Sequence, residues 1–245
     1  TNTAAAGAFT EALNASFSAA TGDATHNGGT VANIAAGASN SNNSAMRVGL
    51  DTTSAGARSG TVTLAYQSDG TGSNGNSGLS AIGAGSQVIN VSGNVYRLAS
   101  ANAIGGVDFG AVHVGDTVTQ ALTVSNTAAN DGFSEKLNGS FGGTSDARIT
   151  TRGSFGLLAA GATNNSSLIV GLNTVAAGLV SGTATVLLAS DGTGTSGLGI
   201  TALASQNVPV SGDIQTAGQV FGLASASPAT PNPVNFGNVR VGASS

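Results

Sequence analysis

The chain contains itself twice, and that repetition limits the folds open to it. Asn2-Thr3-Ala4-Ala5 returns as Asn126-Thr127-Ala128-Ala129. Phe9-x-Glu11-x-Leu13-Asn14-x-Ser16-Phe17 returns as Phe133-x-Glu135-x-Leu137-Asn138-x-Ser140-Phe141. Val48-Gly49-Leu50 returns as Val170-Gly171-Leu172, and Ser68-Asp69-Gly70-Thr71-Gly72 as Ser190-Asp191-Gly192-Thr193-Gly194. Val107-Asp108-Phe109-Gly110 returns as Val234-Asn235-Phe236-Gly237. The offsets of 122 to 127 residues are domain-sized, well above the roughly 20–50 residues of a solenoid repeat. The chain is therefore read as a tandem array, and an array suits reach, spacing or assembly better than chemistry.

Composition narrows the class of domain. Charged residues are only 7% of the 245-residue chain, against about 25% in ordinary soluble domains. Small and β-branched residues with 38 glycines point to short strands joined by tight turns. The repeated apolar alternation argues against the disorder that low-complexity polar chains often show. One lysine, Lys136, and six scattered arginines within a net charge of −4 form no phosphate-binding stripe, so nucleic acid is not an expected partner. No run of apolar residues reaches the length of a membrane-spanning helix, and no signal peptide is visible. A cysteine-free, Ser/Thr/Asn-rich chain of low charge fits an extracellular or bacterial cell-surface setting.

The second copy reads as seven short strands. Val107–Val114 alternates, with a bulge or bend expected at Gly110. Strands then follow over 118–124, 137–141, 155–158, 167–172, 183–189 and 206–214, with turn signals closing those that end at 124, 158 and 189. Seven strands at such intervals read as a β-sandwich. Phe109, Leu122, Val124, Leu137, Phe141, Leu157, Val170, Leu172, Val186 and Leu188 are its expected core. Phe9, Leu13 and Phe17 suit one face of either a helix or a strand, and Gly139 inside the second copy favours the strand. Glu11 and Glu135 then point toward the apolar face, as charges that deter edge pairing, as half of a buried ion pair, or as site residues. Val220 to Pro233 is a linker stiffened by Pro228, Pro231 and Pro233. The link over 95–106 has no proline and is expected to be shorter and more flexible.

The order of these signatures resembles a family. Val-x-Phe-Gly-x-Val-x-Val-Gly stands at 107–115 and again at 234–242. Phe155-x-Leu157-x-x-x-Gly161, Gly182-Thr183-Ala184-Thr185-Val186, Ser190-Asp191 and Val208-Pro209-Val210-Ser211-Gly212 follow in sequence. This is similar to the immunoglobulin-like modules of the ASPM/SPD-2/Hydin and major-sperm-protein type, and more closely to the bacterial surface-protein repeats called choice-of-anchor D. The chain departs from them in lacking a proline after the fifth strand. The resemblance implies long, exported, repeat-built envelope proteins and no catalytic residues.

Candidate chemistry is sparse. His26 and His113 do not recur between copies, Arg240 standing where His113 does, and no set of ligands converges on either. No Gly-x-Ser-x-Gly elbow accompanies the serines. Ser-Asp-Gly-Thr-Gly at 68–72 and 190–194 could bring Asp69 and Asp191 to calcium, but a strand-connecting turn accounts for the same residues, and calcium loops carry more acids at closer spacing. Glycine runs lack the Lys-Ser/Thr ending of a phosphate loop. No metal, no cofactor and no enzyme activity is expected.

The expectation is all-β: tandem Ig-like seven-stranded β-sandwiches. Residues 1–106 form a repeat lacking its first two strands, 107–227 a complete repeat, and 228–245 a linker with the first strand of a following repeat. Thr1 aligns with Ser125, so the first copy lacks what 107–124 gives the second, and the chain is expected to be either a window on a longer array or a subunit whose neighbour fills the gap head to tail. Val234, Phe236, Val239 and Val241 are the expected interaction residues, a strand offered to the next unit. Expected partners are further copies of the same repeat, head to tail. The expected role is a structural module of a secreted bacterial surface protein forming a fibre, filament or stalk. The alternative is an adhesin whose loops bind a cell-surface or carbohydrate ligand.

Overall fold

Alternating apolar residues with a period of two build half-buried strands, and the glycine-rich turns between them leave no room for helices. The computed structural model describes residues 1–71, 74, 77–216, 227, 238, 241 and 242. Among the described residues there is no helix, and the fold is all-β. No helix able to cross a membrane is found there. The first half carries β1 (Ala12–Gly22), β2 (Ala24–His26), β3 (Thr30–Ile34), β4 (Val48–Leu50), β5 (Gly56–Asp69) and β6 (Ile82–Val95). The second opens with β7 (Val107–His113), β8 (Val118–Ala121), β9 (Val124–Ser125), β10 (Lys136–Thr144), β11 (Ile149–Arg152) and β12 (Ser154–Leu158). It continues with β13 (Thr163–Asn164), β14 (Ile169–Leu172), β15 (Gly178–Asp191), β16 (Ile200–Ala202) and β17 (Gln206–Gln215).

The two halves pair alike. The order β3-β1-β5-β6 in the first repeats as β12-β10-β15-β17 in the second, and the β2–β4 pair matches β11–β14. The second half has more: β7 lies parallel on the outer edge of β17, β16 pairs with β15, β8 adds to β14, and β9 pairs with β13. Its two main sheets share one buried core, with Val186, Val208 and Val210 from one and Ile149, Val170 and Leu172 from the other. This is consistent with a β-sandwich. Gly110 sits at φ +61° where β7 slips register against β17, the bend expected there.

Several expectations need correction. Leu157 is 44% exposed and not core. Its backbone lies at φ +54°, as Asn33 does at +59° in the first copy, and each N–H donates to the asparagine of the neighbouring strand at 2.7 Å, Asn138 and Asn14 respectively. This irregularity turns Leu157 outward and leaves Leu158 to pack on the core. Phe109 and Phe141 are only half-buried against it. Phe9 belongs to no strand and is fully exposed. The link over 95–106 is no free tether: Arg97 bridges Ser134, Ala101 bridges Asn126, and Ala99 is buried in the second core.

Candidate functional site

The Ser-Asp-Gly-Thr-Gly turns and the paired glutamates form one polar cluster, built the same way in both halves. Glu135 Oε2 accepts from Ser190 Oγ at 2.7 Å, and Oε1 accepts from Ser196. Glu11 accepts from Ser68 at 2.7 Å and from Ser77. Gly70 and Gly192 make room for these carboxylates. A Cβ on either would lie within 2.0 Å of Ser77 Oγ or 2.3 Å of Ser196 Oγ. Asp191 holds the turn by accepting from Thr193 N at 2.8 Å, and it accepts from Asn138 Nδ2 at 2.9 Å. Asp69 does the same with Thr71 and Asn14.

At Glu11, Asp69 and Asp191 these bonds favour the ionised carboxyl. Ser77, then Ser68, hold Glu11 below its ordinary value. Thr71 and Asn14 lower Asp69, and Thr193 and Asn138 lower Asp191. The glutamates are therefore neither edge charges nor halves of an ion pair. They stitch the strand-end turn to the start of β1 and β10. Asp69 and Asp191 are occupied as turn caps. His26 stacks on Phe17 with ring centroids 4.5 Å apart, and His113 lies 3.6 Å from Asp116.

A second recurring element is a buried asparagine strut. Asn126 Nδ2 donates to Glu135 O and Leu158 O, while Oδ1 accepts from Ala128 N and Ser100 N. Asn2 Nδ2 donates to Glu11 O and Ile34 O, and Oδ1 accepts from Ala4 N. The repeated Asn-Thr pair beside apolar strands is the sequence signal of this strut, but the sequence alone does not show which carbonyls and N–H groups it bridges.

The halves differ most in what covers them. Val170 is fully buried, but its counterpart Val48 is 38% exposed. Val208, Val210 and Ile214 of β17 are buried, whereas Ile89, Val91 and Val95 of β6 are only half-buried. Leu137 and Val186 are buried where Leu13 and Leu64 are not. The residue types match, so the difference lies in the neighbours: β7 and β8 cover the second half, and nothing among the described residues covers the first. Of the expected interaction residues, Val234, Phe236 and Val239 lie outside the described residues; Val241 is fully exposed in a turn. No protein-family model matches the chain, and a search of curated proteins found no similar sequence.

Proposed function

We propose that the chain is a structural repeat module of a secreted bacterial surface protein. In this reading each unit is an Ig-like seven-stranded sandwich, and units join head to tail into an extracellular fibre, filament or stalk. A strand from one unit, Val234, Phe236, Val239 and Val241, completes the next. The observation that carries the reading is the open apolar face of the first unit among the described residues. Apolar positions that are fully buried in the second unit stay open in the first, beside a β6 edge with no partner among the described residues. An open apolar face and an unpaired edge invite a strand. A contact between two different surfaces of one subunit does not close on itself and propagates as a filament. Low charge, 7% of residues, permits close approach of copies with little repulsion.

Electron microscopy and light scattering of the purified chain across a concentration series test this. Linear particles that lengthen with concentration are expected. Monomers at every concentration would overturn the reading.

A further inference from the structure

Residues 96–104 make contacts in the second unit whose counterparts in the first are open among the described residues. Tyr96 packs on Phe133 with ring centroids 5.6 Å apart. Arg97 N donates to Phe133 O at 2.9 Å, and Glu135 N donates to Arg97 O at 3.0 Å. Ala99 N donates to Ser190 Oγ at 2.8 Å, and Ser100 N to Asn126 Oδ1 at 3.2 Å. Ser100 O accepts from Thr127 N at 2.6 Å. The chain then continues into β7, where Val107 lies opposite Val210 and Asp108 opposite Ser211.

Every receiving group recurs in the first unit. Phe9, Glu11, Ser68, Asn2 and Thr3 stand where Phe133, Glu135, Ser190, Asn126 and Thr127 do. Asn2, Thr3, Glu11 and Ser68 line an open cavity of about 540 Å³. Ser68 Oγ donates to Glu11 as Ser190 does to Glu135. Among the described residues, though, no backbone N–H donates to Ser68 Oγ. The ring of Phe9, whose counterpart packs on Tyr96, is fully exposed.

The chain carries a second copy of the 95–101 segment. Val220-Phe221-Gly222-Leu223-Ala224-Ser225-Ala226 repeats Val95-Tyr96-Arg97-Leu98-Ala99-Ser100-Ala101. The link from there to Val234-Asn235-Phe236-Gly237 is two residues longer than the one leading to Val107. The one charged contact changes on both sides at once. Arg97 Nη1 meets Asp131 at 2.7 Å. Gly222 stands where Arg97 does and Gly7 where Asp131 does, so neither partner would leave a charge unpaired.

We propose that the cavity beside Asn2 and Ser68 is a docking slot for residues 221–226 of a second copy of this chain. Phe221 packs on Phe9, Ala224 N donates to Ser68 Oγ, and Ser225 N donates to Asn2 Oδ1. The same arm then runs parallel to β6, with Val234 opposite Val91 and Asn235 opposite Ser92. The slot rests on the head-to-tail reading and adds a second contact to it, upstream of the expected strand.

Two measurements on the full chain separate the slot from that reading. The chain has no cysteine, so Ser92→Cys and Asn235→Cys chains can be mixed and oxidised. A disulfide-linked pair is expected, with none between Asn235→Cys and Ser211→Cys, because Asp108 already lies opposite Ser211. Absence of the Ser92 link in chains that remain monomeric overturns both ideas. So does a Ser92→Cys/Asn235→Cys double variant that closes only within one molecule. The second measurement is the assembly constant of Phe9→Ala, Phe221→Ala and the double variant, with the folded state checked by circular dichroism. Each single change should weaken assembly about tenfold, and the double change no more than either single, as expected for one aromatic contact. A chain that forms the Ser92 link but assembles as tightly as its parent after both changes overturns the slot and leaves the head-to-tail reading standing.

Discussion

One residue pair shows how closely the two units are tuned to separate solutions of the same problem. In the second unit Gly139 faces Phe155 across the β10–β12 pair; in the first, Ala15 faces Val31 at the same place. A Cβ on Gly139 would lie 2.5 Å from the Phe155 ring. The larger partner therefore requires the smaller one, and the volumes trade across the strands. Gly139→Ala should destabilise the second unit by about 1–3 kcal/mol through overpacking. Adding Phe155→Val recreates the first unit's pair and should recover most of that loss. Denaturant titration of the two singles and the double measures the coupling; additive losses would show that Phe155 moves aside freely. This constraint was only partly legible in the sequence. Gly139 read as a helix breaker, because nothing along the chain marks which residue lies across from it.

At the scale of elements, strands with their own alternation could be read directly and strands made by pairing could not. β7, with its bend at Gly110, and β17 carry clear apolar alternation. β11 has one apolar residue, Ile149, and is a strand because it pairs with β14. β15 begins at Gly178, five residues before the alternation suggests, because β17 runs alongside and supplies partners through Gly182. The polar cluster escaped for the same reason: Glu135 and Ser196 meet only when the turn after β15 folds back. That cluster sets an acid response. Serine, threonine and asparagine hydrogen bonds depress Glu11, Asp69 and Asp191 in the folded state. The unfolded chain then binds protons more readily, so this stabilisation is present above the ordinary carboxylate range and is lost as pH falls through the lower folded values. The thermal midpoint should hold through neutral pH and drop once pH goes below about 4. Asp191→Asn should flatten part of that drop while lowering the plateau. An unchanged slope in that variant would show that its turn bonds do not differ between protonation states.

For the whole molecule, unequal cover should mean unequal stability. The second unit encloses a core drawn from residues 99 to 214, while among the described residues the first fully buries only Ala12, Ala24 and Val62 of its apolar side chains. Burial of apolar surface is the main favourable contribution to folding. The first unit should therefore unfold at lower denaturant than the second, giving two transitions where a single cooperative domain would give one. If a second copy supplies the missing cover, it binds the folded first unit and not the unfolded one. Mass action then raises the first midpoint with protein concentration and leaves the second unmoved. The proposed contact would be apolar and backbone-mediated, with glycines at 7 and 222 where Asp131 and Arg97 stand, so added salt should weaken it little. Tyr66 and Tyr96 are the chain's only tyrosines, Tyr66 on β5 and Tyr96 packed on Phe133 of the second unit. Fluorescence of Tyr96→Phe and Tyr66→Phe variants can follow each unit separately. A Tyr66-reported midpoint that shifts upward across a concentration series, beside a fixed Tyr96-reported one, is the expected result. Coincident, concentration-independent transitions would mean that the open face of the first unit needs no partner.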